Sequence, residues 1–179
     1  MALPWGAPLT EDDLAAMPDD GHRYEILDGV LLVTPAPNLT HQRCVRSLLV
    51  VLHGARQPGH EVLTAPFDVR LSRITVVEPD VLVARRSDLT PARLEGPPIL
   101  AVEVLSPSTR RIDTSLKRLA YEAAGVPAYW LVDPDVPSLT VLELEDGSYV
   151  ERATVAGSES FAATMPFPVT VVPARLIDD

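Results

Sequence analysis

The stretch "ILAVEVLSPST", Ile99 to Thr109, decides how this chain is read. From Ile99 to Leu105 every residue is apolar except Glu103. A short apolar run of this kind, closed by a Ser-Pro-Ser-Thr segment, reads as a buried strand followed by a loop. An ionised carboxylate inside such a strand costs several kcal/mol, or shifts its pKa, unless something pairs with it. The question is therefore what holds Glu103.

The preceding strand-like segment, "EPDVLVA", places Asp80 after Pro79 at its start. If the two strands pair antiparallel, the start of the first lies beside the end of the second. Alternation puts Glu103 on one face with Ala101 and Leu105, and Asp80 on one face with Leu82 and Ala84. In a suitable register the two carboxylates converge. They then repel unless a proton or a cation sits between them, and their oxygens suit Mg²⁺ or Mn²⁺. Lys117 lies fourteen positions after Glu103, on the next predicted helix. From there its ammonium can reach the carboxylate pair, where it would orient a water or stabilise charge on a phosphate. Each residue also has a plainer reading. Asp80 can be a strand-start residue, Glu103 can pair with Arg110 or Arg111, and Lys117 can be a solvated helix residue.

Outward from this centre the chain is punctuated by eighteen prolines. "LTEDDLAAMP" reads as a short helix capped by Thr10. "RYEILDGVLLV" reads as a hairpin turning at Asp28-Gly29. "NLTHQRCVRSLLVVLHGA" reads as a helix capped by Asn38, with an apolar stripe of Val45, Leu48, Leu49 and Leu52. The segments "EVLTAPFDVRLS", "EPDVLVA", "PILAVEVLS", "AYWLVD", "SLTVLELE" and "SYVERATV" are strand-like. One helix interrupts them, "DTSLKRLAYEAAG". Asp113, Thr114 or Ser115 would start it, Gly125 would end it, and Leu116, Leu119, Ala120 and Ala123 would form its apolar stripe. The plan is α+β: a mixed, mainly antiparallel sheet with two principal helices.

The 179 residues, 46% apolar and 22% charged, fit one domain with a sizeable core, residues 1–179. No apolar run approaches the ~20 residues needed to span a bilayer, and the N-terminus lacks the pattern of a signal peptide. A single cysteine, Cys44, excludes an intrachain disulfide and a Cys-rich metal site, and points to a reducing cytoplasm. The net charge of −10 argues against coating nucleic acid with the whole surface. It is compatible with carboxylates gathered around a cation.

"EPDVLVA", "LAVEVLSPST", the Asp-Lys-Tyr pattern of "DTSLKRLAYEAAG", "GVPAYWLVDP" and the N-terminal "YEILDGVLLVTPAPNLTHQ" resemble the Uma-two family of bacterial restriction-endonuclease-like proteins, within the PD-(D/E)XK nuclease superfamily. The resemblance covers roughly residues 10 to 145, leaving a proline-rich tail to pack on the core or a partner. It implies a restriction-endonuclease-like core and an Mg²⁺- or Mn²⁺-dependent endonuclease. Asp80 and Glu103 would be its acidic ligands, with the Val104 carbonyl as a further one. Many superfamily members carry lysine two positions after the acidic residue. This chain has Leu105 there, and Lys117 matches the family's displaced lysine.

The resemblance also makes Glu25 a candidate; its plain reading is an outward-facing hairpin residue. His41, near the start of its helix, is a cap or core histidine or a site residue. Tyr121, one turn after Lys117, either packs or holds the lysine. Arg110, Arg111 and Arg118 form a local basic cluster that could bind phosphate. Ser106, Ser108 and Thr109 read as loop and cap residues, since no His-Asp partnership accompanies them. Two function classes follow. One is a metal-dependent nuclease acting on DNA, a homodimer by analogy with the superfamily. The other is a non-catalytic homodimeric binding module that keeps the fold. A different paired-carboxylate hydrolase is a third reading.

Overall fold

Local turn chemistry sets the N-terminal elements. The computed structural model describes residues 6–178; Met1–Trp5, where the segment read as lacking a signal peptide begins, and Asp179 lie outside the described residues. A one-turn helix, α1 (Glu11–Leu14), starts at Thr10, whose backbone N–H and hydroxyl both donate to Asp13 Oδ2 at 2.9 Å. The hairpin β1 (Arg23–Leu27) and β2 (Val30–Thr34) turns at Asp28 and Gly29, with φ of 49° and 77°. Positive φ at both central residues is the hairpin geometry that Asp-Gly favours. Gly29 is also required sterically, because a Cβ there would lie 2.4 Å from Pro8 Cβ.

Helix α2 (Leu39–Ala55) is capped by Asn38, whose Oδ1 accepts from the His41 N–H at 2.9 Å. Its buried face is His41, Cys44, Leu48 and Leu52, with Val45 and Leu49 packed at the margin. The segment read as one strand, "EVLTAPFDVRLS", is two: β3 (His60–Thr64) and β4 (Asp68–Ser72), which join different sheets. Pro66 between them has no N–H to give to a ladder. Then come β5 (Thr75–Val77), β6 (Val81–Arg85), β7 (Arg93–Glu95) and β8 (Leu100–Val104).

The next helical run begins at Arg110, earlier than expected, and passes through a π-helical segment, Ile112–Lys117, into α3 (Arg118–Ala123). Thr109, not Asp113, stands before it. β9 (Ala128–Asp133), β10 (Ser138–Glu145), β11 (Ser148–Ala156), β12 (Phe161–Ala163), β13 (Val169–Val171) and α4 (Pro173–Ile177) complete the chain.

The main sheet has the order β11-β10-β9-β8-β6-β3 and is antiparallel except for β8 and β9. The crossover between those parallel strands is the helical run carrying Lys117, as a parallel pair requires. A second sheet runs β2-β1-β5-β4-β7, and β12 pairs with β13. One face of the main sheet packs Val81, Val83, Leu100, Val102 and Val104 against α2 and the tail residues Phe167, Val171 and Leu176. The opposite face packs Leu82, Ala84 and Ala101 against Tyr121 and the second sheet. The architecture is α+β, with helices flanking mostly antiparallel sheets.

Candidate active site

Strand register brings the two motif carboxylates together. Val81 pairs with Val102, so the same antiparallel register carried one residue further sets Asp80 opposite Glu103. Alternation turns both towards the face that also buries Leu82, Ala84, Ala101 and Leu105. Asp80 Oδ2 accepts the Val104 N–H at 2.8 Å, which ties the start of β6 to the end of β8.

The charge in the apolar strand is held from the helical crossover. Lys117 Nζ donates to Glu103 Oε1 at 3.0 Å, and the Tyr121 hydroxyl donates to the same oxygen at 3.0 Å. Glu103 is 1% exposed and Lys117 3%, so this is a dry contact. The expected apolar stripe of that helix is corrected: Leu116 and Leu119 are 52% and 60% exposed, and the buried side chains are Asp113, Lys117 and Tyr121. These three are spaced by four. Four residues exceed one α turn but fall short of one π turn, so a π segment followed by an α segment cancels the drift and keeps them on one face.

Glu25 does not face outward as a simple hairpin residue would. It is fully buried where the second sheet meets the main one. Glu25 Oε1 lies 2.8 Å from Lys117 Nζ and accepts the Glu78 N–H at 2.7 Å. His41, at the start of α2, holds Nε2 at 3.1 Å from Asp80 Oδ2, besides its backbone role in the Asn38 cap.

Three residues of the site were not singled out from the sequence for it: Arg23, Glu78 and Asp113. Arg23 Nη1 donates to Asp80 Oδ1 at 3.0 Å and Nη2 to the Glu78 carbonyl. Its guanidinium also lies 3.3 Å from Glu78 Oε2 and 3.6 Å from Glu25 Oε2. Asp113 Oδ1 is 4.0 Å from Lys117 Nζ. Spacing carried the signal for all three. Arg23 is two before Glu25 and Glu78 two before Asp80, on strand period, and Asp113 is four before Lys117, on helix period.

The electrostatics separate these carboxylates. Burial opposes ionisation of Asp80, but the His41 hydrogen bond and the Arg23 charge outweigh it and hold its pKa below the usual range. Glu25 is likewise buried, and Lys117 and Arg23 hold it low. Glu103 goes the other way. Burial, reinforced by Asp80, Asp113 and Glu25, lifts it well above its ordinary value despite Lys117. Burial raises Glu78 to about 7 against the pull of Arg23, and raises Asp113 to about 6 against Lys117. Burial works against the charge of Lys117, yet Glu103 and Glu25 more than compensate and lift its pKa above the lysine range.

These groups lie on a cleft of about 670 Å³, edged by Pro35–Asn38 and Ser106–Thr109. Ser106 Oγ is 3.0 Å from both Ser108 Oγ and Thr109 Oγ1, a loop knot with no histidine partner. Arg110, Arg111 and Arg118 are not part of the lining; Arg110 pairs with Asp133 Oδ2 at 2.6 Å. Among the described residues no three His, Cys, Asp or Glu side chains are already set as a metal cage. Arg23 and Lys117 stand between the carboxylates instead. The donors of Asp80 and Glu103 nevertheless fit a hard divalent cation: they are carboxylate oxygens, and the Lys117 and Tyr121 bonds to Glu103 both fall on Oε1. No helix among the described residues is long and apolar enough to cross a membrane.

A solved structure from Anabaena variabilis ATCC 29413, described as "a putative nuclease belonging to DUF820", matches the fold with a TM-score of 0.72 at 18% identity, over 95% of this chain and 98% of that one. It shows the restriction-endonuclease-like fold. No curated protein matches the chain. The family model described as "Putative restriction endonuclease" matches residues 11–175, and the chain belongs to that family, Uma2.

Proposed function

We propose that this protein is a divalent-metal-dependent endonuclease that hydrolyses phosphodiester bonds of DNA. The observation that carries the reading is the convergence of Asp80 and Glu103 on one sheet face, with Lys117 buried against Glu103. Asp80 and Glu103 would hold Mg²⁺ or Mn²⁺, with the Val104 carbonyl beside them. Both Lys117 and Tyr121 bond Glu103 through Oε1, so Oε2 is the oxygen those bonds leave for a cation. When bound, the metal supplies Lewis-acid activation of the phosphate and of a water.

The chain's own residues do the rest. Lys117 stays an ammonium because its pKa is raised. It therefore cannot take a proton from water as a base. It can orient the water by donating to it and stabilise charge developing on a phosphate oxygen. His41 fixes the Asp80 carboxylate through Nε2, and Tyr121 fixes Glu103. The Ser106–Thr109 and Pro35–Asn38 edges shape where the backbone of a substrate enters. Arg110, Arg111 and Arg118 lie outside the cleft, where they would act on flanking phosphates only.

The test is cleavage of plasmid and oligonucleotide DNA in Mg²⁺ or Mn²⁺ by the full chain and by Asp80→Asn and Glu103→Gln. The wild type is expected to cut, and each variant to lose at least about 100-fold while keeping its far-UV circular dichroism. A folded wild type that binds neither ion and cuts no nucleic acid supports the non-catalytic binding module instead.

A further inference from the structure

The carboxylates of the cleft fall into two groups around two built-in cations. Lys117 serves Glu103, Asp113 and Glu25 Oε1. Arg23 serves Asp80 Oδ1, Glu78 Oε2, Glu25 Oε2 and the Glu78 carbonyl. Glu25 divides one oxygen to each. The Arg23 group is four oxygen donors around one guanidinium, a donor set of the kind that coordinates a hard divalent ion.

The fit of the guanidinium is electrostatic more than directional. Arg23 Nε, Glu25 Oε2 and Glu78 Oε2 are all buried, yet none takes part in a hydrogen bond among the described residues, although Arg23 Nε is 3.3 Å from Glu78 Oε2 and Arg23 Nη2 is 3.6 Å from Glu25 Oε2. A guanidinium donates along fixed directions. A spherical ion has no such requirement and would satisfy the two orphaned carboxylate oxygens together. Superfamilies of phosphodiester hydrolysis use either one ion or two about 3.5–4 Å apart. Here the group beside Asp80 is the Arg23 guanidinium, at 3.0 Å.

We propose that the Arg23 guanidinium occupies a second divalent-cation seat formed by Glu25, Glu78 and Asp80, so that the site takes a single metal ion, on Asp80 and Glu103. This rests on the metal-dependent reading above. It extends that reading to stoichiometry: Arg23 is a positioning residue that neutralises Asp80 at Oδ1. Seating an ion in place of Arg23 needs oxygens at about 2.1 Å. The present nitrogen contacts are 3.0–3.6 Å, so Glu25 and Glu78 would have to close inward once the arginine is gone.

The experiment counts Mn²⁺ bound to the full chain by calorimetry and by the electron paramagnetic resonance of Mn²⁺, with no substrate present. Wild type is expected to bind one ion per chain with no Mn–Mn coupling. Arg23→Gln is expected to bind two, with a coupled Mn–Mn signal, and Arg23→Lys, which keeps the charge, to bind one. Two ions in wild type overturn the inference, and that count depends on no variant folding. A folded Arg23→Gln that still binds one ion overturns it too, while leaving the metal-dependent reading intact. A wild type that binds no Mn²⁺ overturns that underlying reading, and the inference with it.

Discussion

Replacing Lys117 with methionine removes the ammonium but keeps most of the side-chain volume. Lys117 is 3% exposed, with carboxylate oxygens of Glu25 and Glu103 at 2.8 and 3.0 Å. Removing one partner of a buried pair costs about 3–5 kcal/mol, because the other charge is left without compensation. The lower end applies here for two reasons. Glu103 has a raised pKa and so carries a proton readily, and Glu25 keeps Arg23 at 3.6 Å. We expect Lys117→Met to lose about 3 kcal/mol at pH 8. The loss should shrink on acidification. In wild type the lowered pKa of Glu25 contributes stability that is present above its unfolded value and lost as pH falls through its folded one. Without Lys117 that downward shift is smaller, so the variant's Glu25 takes its proton at higher pH and its penalty fades first. The raised pKa of Lys117 itself contributes stability that is full below its unfolded value, so between pH 5 and 8 it adds no slope. Urea unfolding followed by circular dichroism at pH 8 and pH 5 should give about 3 and about 1 kcal/mol. A loss below about 1 kcal/mol at pH 8, or an equal loss at both pH values, would refute the charge-compensation account.

Tyr121→Phe removes one of two donors to Glu103 Oε1 and should cost about 1 kcal/mol by urea unfolding, with the fold intact. A neutral result would mean the hydroxyl carries no net weight. Because burial raises the Glu103 pKa, Mn²⁺ binding should displace protons from the site and tighten as pH rises. Titration calorimetry in buffers of different ionisation heat reads this, and an affinity flat with pH contradicts it. Glu78, raised from 4.5 to about 7, contributes stability that is full below its unfolded pKa and lost as pH rises through 7. Glu78→Gln should therefore stabilise the protein at pH 8, by up to about 3 kcal/mol, and do little at pH 4. Destabilisation at pH 8 would mean the Arg23 contact outweighs the burial of the charge.

The strands that bear the chemistry were legible because they are simple. Pro79-Asp80 and Ile99–Leu105 read as short apolar strands with few alternatives, while the β6–β8 register that joins their carboxylates came from the structure. The hairpin at Asp28-Gly29 and the Asn38 cap were equally local. What sequence could not give was the inward face of the crossover helix. Its leucines at 116 and 119 fit an ordinary α stripe, and ordinary periodicity turns them inward. In the structure the inward face is needed for Asp113, Lys117 and Tyr121, and the π turn delivers it at the expense of exposing both leucines. The splitting of "EVLTAPFDVRLS" was missed because β propensity runs through both halves, while sheet membership depends on long-range pairing. Arg23 and Glu78 were readable from spacing but had no reason to be singled out until β1 was known to fold over β6.

That folding over explains how so acidic a centre stays folded. Glu25, Glu78, Asp80, Glu103 and Asp113 meet two permanent cations, Arg23 and Lys117, so full ionisation would leave an excess of negative charge in a dry place. The raised pKa values of Glu78, Asp113 and Glu103 relieve it, since each takes up a proton more readily than a free carboxyl. Protons and a divalent ion therefore compete for the same excess charge. Lys117 and Arg23 neutralise part of that charge permanently, Lys117 through Glu103 Oε1 and Glu25 Oε1 and Arg23 through Asp80 Oδ1, Glu25 Oε2 and Glu78 Oε2. A site so arranged holds its shape while protonated and gains affinity for a cation as pH rises. The buried Glu103 is costly as a strand residue, and that cost is what gives the cleft its bias towards a positive ion.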